Sequence, residues 1–577
     1  MTAAPSGPAF SVHDIPFSTY GSWFDISPVI AEKTYAEDLH LVSHQNGMHG
    51  VLRLVPLEPT GGERAETRVE AIPGLLRWVG ESGLVELVYE TPDTVRLRGR
   101  GLDFGVFAAA HTLTPFSGTY FFHDPAADGH VFTSYETGRR YRVTVLSGTL
   151  ARIAGAQALG SAERGVAVTS QDGDWEIVIE ELDTSRPPYA SSAAFDDVVA
   201  AARGAFTDFV DAVAPWRSDA TPAAELAAYV VWSATVAAKG LVTRPGVLMS
   251  KHWMDKVWSW DHCFNALALA PGCPELARDQ FHLPFDHQDD SGALPDSVTH
   301  SEVLYNFVKP PIHGWAYGHL RRRLPTPLSG SELTAVYARL ERWTDFWLTA
   351  RRAPGADLPH YQHGNDSGWD NATTFDPERV VVTADLSAFL ALQLHQLAEL
   401  AGELGKHDEA ARWTRTAEEI QAALLDQLWT GDRFVARSAS TGETWSSASL
   451  LDLMPIALGE HLPAEVGSAL ADHIKAHLTP YGLATELPTS PDYLADGYWR
   501  GPIWAPATVL VEDGLRRAGH LRLADDISAR FRALCETHGF AENFDALTGT
   551  GLRDRAYTWT ASSYLLLAEA HTHREGN

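Results

Sequence analysis

Between about residues 35 and 190, apolar side chains recur at every second position, the spacing of a strand with one buried face. The alternating positions include Val85, Leu87, Tyr89, Val95, Leu97, Tyr141, Val143, Val145, Trp175, Ile177 and Ile179. Turn residues separate these runs, as at Pro92-Asp93 and Asp172-Gly173, which is typical of hairpins. The pattern predicts an antiparallel β-sandwich over residues 1–194, in which we recognise no catalytic constellation.

The apolar spacing becomes helical at Phe195, which predicts a linker helix over residues 195–220. A further helix is expected from Thr221-Pro222, because Pro is well tolerated at a first helical position. Apolar stripes at helical spacing follow over 333–347, 386–404 and 413–428. About 350 residues of such helices, joined by long loops, suit a toroid of helical hairpins better than a bundle. We therefore predict a mainly α chain with an N-terminal β domain and a helical domain over residues 221–577.

Length and charge limit the classes of function. A chain of 577 residues exceeds the usual size of one hydrophobic core, which predicts two domains. The formal net charge is -29, so electrostatic binding to nucleic acid or to anionic membranes is not expected. An acidic surface favours solubility and suits a neutral polyol as substrate.

The chain starts Met1-Thr2-Ala3-Ala4-Pro5, without a basic segment followed by an apolar one, so no signal peptide is expected. No apolar run is long enough to span a bilayer. Cys263, Cys273 and Cys535 show neither even pairing nor zinc spacing and are expected to be reduced. These features together predict a cytoplasmic protein.

Two segments place a carboxylate among Gly, Asn and aromatic residues. A helix core does not need an acid in such a setting, but a carbohydrate site does. One is 363–371, which contains Asp370, and the other is 541–545, which contains Glu542. Cleaving an acetal at neutral pH needs a proton on the leaving oxygen and, in one of two geometries, a second carboxylate that activates water. Taken singly, either segment could be a surface loop of turn-forming residues, and Asp370 could cap a helix. Together they indicate glycoside hydrolysis.

Aromatic residues beside both acids support a carbohydrate site. The faces of Trp369 and Trp559 could pack against the apolar faces of a sugar ring, while nearby amides and acids bind its hydroxyls.

Five motifs, in this order, resemble those of glycoside hydrolase family 63. They are Trp258-Ser259-Trp260-Asp261, Lys309-Pro310-Pro311-Ile312-His313-Gly314-Trp315, Asp366-Ser367-Gly368-Trp369-Asp370-Asn371, Tyr498-Trp499-Arg500-Gly501-Pro502-Ile503-Trp504 and Glu542-Asn543-Phe544-Asp545. The resemblance covers about residues 220 to 570 and is nearest to bacterial α-glucosidases and to mannosylglycerate or glucosylglycerate hydrolases, with family 37 trehalases more distant. It implies an (α/α)6 barrel.

The resemblance also implies a role for each acid. Asp370 falls on the general acid, and burial beside Trp369 should raise its pKa. Glu542 falls on the base, in a motif with Phe544 where Tyr is common, a change that loses a hydroxyl but keeps the carboxylate. Members of the family invert configuration, which requires carboxyl groups about 6.5 to 9.5 Å apart with water between them.

Further residues are expected to bind substrate. The resemblance implies that Asp261 binds sugar hydroxyls in the terminal subsite, although it could instead cap a helix. It also implies a loop around Tyr498 that closes over the sugar, with Gly497 and Gly501 giving it freedom. The full predicted set is Trp258, Trp260, Asp261, Lys309, His313, Trp315, Asp366, Gly368, Trp369, Tyr498, Trp499, Arg500, Trp504 and Trp559.

Lys309 departs from the pattern, since the resemblance implies Gln at this position in the glycerate-releasing enzymes. A cation there argues against that substrate, although it could also meet an acidic group. His360, His363 and Asp366 have spacings that a metal could use, but they precede a loop rich in turn residues, so no metal and no cofactor is expected.

The sequence thus predicts an inverting, exo-acting α-glycosidase for a short α-glucoside or related small α-glycoside. A trehalase-like hydrolase is the nearest alternative. A sugar-binding protein or an epimerase on the same barrel stays open, because epimerases of this fold use paired histidines and His313, His360 and His363 are available. The glycone, the linkage and the oligomeric state are not determined by the sequence.

Overall fold

The computed structural model describes residues 7–59, 62–155, 159–169 and 173–575. The chain divides into two compact units. One comprises residues up to 212 with 228–256 and 299–301, and the other comprises 213–227, 257–298 and 302 onward. The expected absence of a signal peptide and the turn residue Asp172 concern positions that lie outside the described residues.

The first unit is built from antiparallel strands. They are β1 Phe24–Ala31, β2 Thr34–Ser43, β3 His49–Leu57, β4 Thr67–Ile72, β5 Leu75–Gly80, β6 Leu84–Thr91, β7 Thr94–Arg100, β8 Asp103–Ala108, β9 Thr112–Leu113, β10 Thr119–Asp124, β11 Gly129–Ser134, β12 Arg140–Ser147, β13 Thr149–Ala154, β14 Gly160–Ser161, β15 Gly165–Thr169 and β16 Asp174–Leu182.

Over the described residues these strands form a sheet in the order β1-β2-β3-β8-β15-β13 and a sheet in the order β10-β11-β12-β16-β7-β6-β5-β4. Apolar residues from both sheets share one core, in which the ring of Phe104 contacts those of Trp78 and Trp175 at centroid distances of 5.3 and 5.7 Å. The period-two alternation puts these side chains on the inner faces, as expected for a sandwich.

The remaining elements are mainly helices. They are α1 Phe195–Val213, α2 Ala224–Ala234, α3 His262–Leu269, α4 Pro274–His282, α5 His313–Arg323, α6 Gly330–Thr349, α7 Ala384–Glu403, α8 His407–Leu428, α9 Ala464–Ala476, α10 Ala505–Arg517, α11 Leu521–His538 and α12 Thr558–Glu575. Single turns of 3₁₀ helix occur at Pro284–His287, Gly364–Ser367 and Thr373–Phe375, and a longer 3₁₀ segment spans Leu450–His461. Short strands lie at Thr235–Val236, Gly246–Val247, Val257–Trp258, Ser297–Val298, Val303–Leu304, Val381–Val382, Ala436–Ser438, Thr444–Trp445, Asn543–Phe544 and Gly551–Leu552.

The helices of the second unit form a closed ring. In the described part of the chain, α3 packs against α5, α5 against α7, α7 against the segment Leu450–His461, this segment against α10, α10 against α12, and α12 back against α3. Helices α4, α6, α8, α9 and α11 pack against members of this ring. This is the arrangement of an (α/α)6 barrel.

Burial follows from the sequence of each helix. The inner helix α7 is apolar almost all round and is buried along most of its length, whereas α8 buries a single stripe that includes Trp413 and Leu424. Helices make up 36% and strands 26% of the structure, a more even balance than the mainly α class that we expected, because the N-terminal unit is rich in strands. No helix in the described residues is long and apolar enough to cross a membrane.

Candidate active site

The predicted site residues lie at one rim of the helical ring. Successive inner helices run in the same direction, because an outer helix returns the chain between them, so their N-terminal ends share a rim. Asp261 precedes α3, Lys309 precedes α5, Asp370 precedes α7, Trp504 precedes α10 and Glu542 precedes α12. The positive ends of the inner helix dipoles face this rim and favour negative charge there.

A tight turn sets the position of Asp370. The 3₁₀ turn Gly364–Ser367 ends at Gly368, which has φ +75°. A Cβ on Gly368 would lie 2.3 Å from the ring of Trp260, and one on Gly364 would lie 2.4 Å from the carbonyl oxygen of Asp370. The motif therefore needs glycine at both positions, since a larger residue at either one would force the turn that carries Asp370 to move.

The charges around Asp370 act in both directions. Burial raises the pKa of this carboxyl, the nearby ammonium of Lys309 lowers it, and the carboxylate of Asp296 raises it again. The net effect on the pKa is upward, which favours the protonated form that a general acid needs.

Asp366 supports the turn through its hydrogen bonds, and its predicted contact with substrate stays a prediction. Its Oδ1 accepts from the amide of Val308 at 3.1 Å, and its Oδ2 accepts from the amide of Gln362 at 2.8 Å and from Arg351 at 2.6 Å. These bonds tie the segment before α5 to the turn that carries Asp370.

Lys309 is a buried cation that contacts the turn carrying Asp370. Its Nζ lies 3.1 Å from Oδ1 of Asp296, donates to the carbonyl oxygen of Asn365 at 2.9 Å, and stands 5.5 Å from the ring centroid of Trp258. Asp261, also buried, has its pKa raised to about 8 by burial, with Lys309 opposing the change.

Glu542 is almost fully buried, with 2% of its surface exposed. It precedes the short strand Asn543–Phe544, and its amide donates to the carbonyl oxygen of Asp554 at 2.7 Å. Burial raises the pKa of Glu542 to about 8, Asp554 and Asp370 add to this, and Arg553 opposes it. Its Oε2 has no hydrogen-bond partner among the described residues, so this oxygen is available to a ligand or to water.

Indole rings form a continuous wall at the site. Trp499 stacks on Trp504 with centroids 4.0 Å apart and an interplanar angle of 6°, and Trp369 lies 4.6 Å from Trp499. Trp559 contacts Trp504 at 6.1 Å and Trp260 at 4.9 Å. The indole N–H of Trp559 is buried without a hydrogen-bond partner among the described residues and could donate to a ligand.

Asn371 clamps the loop that carries Tyr498. Its side-chain amide donates to the carbonyl oxygen of Gly497 and accepts from the backbone amide of Trp499, both at 3.0 Å. Arg500 donates to the carbonyl oxygen of Asn371 at 2.7 Å and pairs with Asp376.

The glycines of this loop sit at close approaches. A Cβ on Gly497 would lie 2.6 Å from Leu494 Cβ, and one on Gly501 would lie 2.3 Å from the Leu494 carbonyl oxygen. Tyr498 itself has φ +64° and lies under the guanidinium of Arg553, 4.9 Å from the ring centroid. Whatever motion the loop has, these two glycines meet a packing requirement.

His313 and Trp315 contact the protein on the barrel side. His313 donates from Nε2 to the carbonyl oxygen of Ser259 at 2.9 Å, and burial lowers its pKa to about 4. Trp315 donates to Asp513 at 2.9 Å. Their predicted contact with substrate stays a prediction.

His363, one of the other histidines considered from the sequence, stands at the start of the turn that carries Asp370. The ring of His363 stacks on Phe307 at 5.1 Å, and its Nδ1 accepts from the amide of Asn365. In the described residues no three His, Cys, Asp or Glu side chains are arranged to hold a metal ion.

Sequence reasoning did not select Asp296, Arg553 or Asp554. Asp296 stands alone before the short strand Ser297–Val298, where nothing in the local pattern distinguishes it from a turn residue. Arg553 and Asp554 lie 11 and 12 positions after Glu542, on the return of the short hairpin that only the fold reveals.

Comparison with known proteins places this geometry in a family. The mannosylglycerate hydrolase MGH1-like glycoside hydrolase domain matches residues 254–560. A mannosylglycerate hydrolase of Rubrobacter radiotolerans is 25% identical over 421 residues, which cover 56% of this chain and 92% of that protein.

Two solved structures share the fold. The GH63 mannosylglycerate hydrolase of Thermus thermophilus in complex with Tris matches with a TM-score of 0.54 and 22% identity, over 59% of this chain and 99% of that one. A bacterial glucoamylase complexed with acarbose matches with a TM-score of 0.59 and 11% identity, over 99% and 96% of the two chains. The chain belongs to the mannosylglycerate hydrolase MGH1-like family of glycoside hydrolases, within glycoside hydrolase family 63, and it is a glycosidase.

Proposed function

We propose that this protein is an inverting, exo-acting α-glycosidase, with α-glucosidase activity on a short α-glucoside or related small α-glycoside. The helical domain over residues 221–577 is the catalytic domain in this proposal. The observation that carries it is the pair Asp370 and Glu542. Glu542 is buried and Asp370 is partly buried, both have raised pKa values, and each comes from a separate loop of one rim lined by indoles.

Asp370 acts as the general acid. It donates its proton to the glycosidic oxygen as the bond to the anomeric carbon breaks, so that the aglycone leaves as an alcohol and not as an alkoxide. The tight Gly364–Gly368 turn, which packs at Gly368 against the indole of Trp260, holds the segment that carries the proton donor.

Glu542 acts as the general base. A water held by its Oε2 loses a proton to it and attacks the anomeric carbon from the face opposite the leaving group, which inverts the configuration. The products are a β-sugar and the free aglycone.

The raised pKa of Glu542 has to be reconciled with this role, because a base must be ionised. The protein groups around Glu542 by themselves favour a proton on its carboxyl, since burial dominates. A bound water or sugar hydroxyl that donates to Oε2 stabilises the carboxylate and lowers the pKa of Glu542. Substrate binding therefore converts this residue to the ionised form that activates water.

The charges at the rim favour a neutral substrate. Lys309 is already engaged by Asp296 and Asn365, and the carboxyls of Asp261, Asp370 and Glu542 share the site. An anionic aglycone would therefore find the ammonium of Lys309 already paired, so a neutral glycoside fits better. Mannosylglycerate or glucosylglycerate is the second candidate, because the Rubrobacter relative is a mannosylglycerate hydrolase.

A substrate panel tests this choice. Trehalose, kojibiose, nigerose, maltose, isomaltose and glucosylglycerate are compared by kcat/KM, and release of a free sugar, as opposed to an isomer, separates hydrolysis from epimerisation. Fastest cleavage of a neutral disaccharide supports the proposal, and a preference for glucosylglycerate over all the disaccharides overturns the charge argument.

The roles of the two acids are tested with two substrates. Asp370→Asn should lower kcat on a glycoside with an alkoxide leaving group by on the order of 10² to 10⁴, but should retain far more activity on the matching α-glycosyl fluoride, which needs little protonation. Glu542→Gln should lose activity on both, since water must still be activated. If Glu542→Gln retains activity on the fluoride and Asp370→Asn does not, the roles of the two acids are reversed. Equal losses on both substrates in both variants would show that the acids bind the sugar or support the structure instead. Circular dichroism of each variant checks the fold.

A further inference from the structure

A buried ion pair lies against the turn that carries the proposed acid. Lys309 and Asp296 are 5% and 3% exposed, and the ammonium lies 3.1 Å from the carboxylate. The remaining space around the ammonium holds the Asn365 carbonyl oxygen at 2.9 Å and the face of Trp258 at 5.5 Å. The side chain is therefore fixed from several sides, at a position where the resemblance implies an uncharged Gln in the glycerate-releasing enzymes.

Two links hold this ammonium in register with Asp370. Asn365, which accepts from Lys309, belongs to the turn that ends at Gly368. In the same turn Asp366 accepts from the amide of Val308, the residue before Lys309. Lys309 cannot shift relative to the turn without breaking one of these bonds, so its charge acts on Asp370 from a constant place.

We propose that Lys309 is a positioning residue for the proton of Asp370, and that the opposite charges of Lys309 and Asp296 together set the pH at which Asp370 loses this proton. The ammonium stabilises the carboxylate form of Asp370, whereas the carboxylate of Asp296 destabilises it and also pairs with the ammonium. The inference rests on the proposed role of Asp370 as general acid.

Other groups also act on Asp370 and its surroundings. The further titratable side chains that interact with it are His363, Asp261, Glu542 and Tyr498. Lys309 opposes the effect of burial on Asp370 more strongly than any other side chain, and its own pKa is raised, because Asp370, Asp296 and Asp261 outweigh burial. It therefore stays charged while the acid titrates.

The test isolates the titration of Asp370. Hydrolysis of a glycoside requires ionised Glu542 and protonated Asp370, whereas hydrolysis of the α-glycosyl fluoride requires mainly ionised Glu542. The quotient of the two kcat/KM profiles against pH therefore cancels Glu542 and falls with the titration of Asp370.

Two variants should move the midpoint of this quotient in opposite directions. Lys309→Gln removes the stabilising charge and should raise the midpoint by about one pH unit or more. Asp296→Asn removes the opposing charge and should lower it. A structural defect in either variant would lower both rates without this opposed shift.

Two controls complete the design. Lys309→Arg keeps the charge and should leave the midpoint near that of the wild type, even if kcat falls. Lys239→Gln removes a lysine that pairs with Glu181 at 3.4 Å in the other unit and should leave the profile unchanged.

The outcomes are separable. Midpoints that stay in place, or that move in the same direction in Lys309→Gln and Asp296→Asn, overturn the inference. If Lys309→Gln does not fold, the lowered midpoint in Asp296→Asn decides alone. If the wild-type quotient does not titrate at all, the proposed role of Asp370 fails instead.

Discussion

Replacing Gly368 by Ala should damage the site through a displacement that the structure allows us to estimate. Gly368 has φ +75°, and an added Cβ would lie 2.3 Å from Trp260, where ordinary contact begins at 3.4 Å. Trp260 is 3% exposed and braced by Trp559, so the turn must move by about 1 Å. The left-handed conformation costs about 1 to 2 kcal/mol for Ala, and the overlap adds about 1 to 3 kcal/mol.

A displacement of this size at a catalytic group lowers the rate by about 10²-fold. The assay is kcat/KM on the best glycoside of the panel, together with urea unfolding. Gly405→Ala is the matched control, because Gly405 has φ +73° and nothing within 4 Å of an added Cβ. It should lose about 1 to 2 kcal/mol of stability and no activity. A Gly368→Ala enzyme with kcat/KM within twofold of the wild type would refute the reasoning.

Three further predictions follow from burial and charge. Trp499→Ala removes an indole that lies between Trp369 and Trp504, so it should lower the unfolding free energy by about 3 to 5 kcal/mol, raise KM and lower kcat. Trp499→Phe should have a much smaller effect on all three. An unchanged midpoint of urea unfolding in Trp499→Ala would contradict the stacking argument. Since the pKa of Glu542 is raised to about 8, the native state keeps a proton that the unfolded chain loses above about pH 4.5. The unfolding free energy should therefore fall between pH 5 and 8, and in the Glu542→Gln variant it should fall less steeply. With the α-glycosyl fluoride, the acidic midpoint of kcat should lie below that of kcat/KM, because bound substrate and water lower the pKa of Glu542; coincident midpoints would count against this.

The sequence predicted the strand and helix regions because their signals are local. A period of two placed the inward side chains of the sandwich, and helical spacing identified α7 and α8. The near-even share of strand was missed, because the N-terminal unit carries many short strands whose number depends on pairing.

The site could be predicted only in part, for a physical reason. Motif residues around Asp370 and Glu542 are contiguous in sequence, and the structure brings their loops to one rim through the order of the inner helices. The charged residues that shift the pKa values of these acids come from other loops, as with Asp296 beside Lys309. The spacing of residues along the chain does not predict a buried ion pair. Burial, which raises the pKa of both acids, likewise depends on the whole barrel.

The freedom expected from Gly497 and Gly501 shows a second limit. Glycine has several uses, and the sequence does not say which applies. Here both glycines stand where the backbone meets Leu494 too closely for a side chain, a relation visible only in three dimensions.

The anomeric form of the first product tests the central claim most directly. Proton NMR during the first turnovers of an α-glycoside follows the two anomeric signals before mutarotation mixes them. Attack by a water held on Glu542 should give the β-anomer first. The α-anomer first would contradict the account and require a nucleophilic carboxylate about 5 to 5.5 Å from the acid.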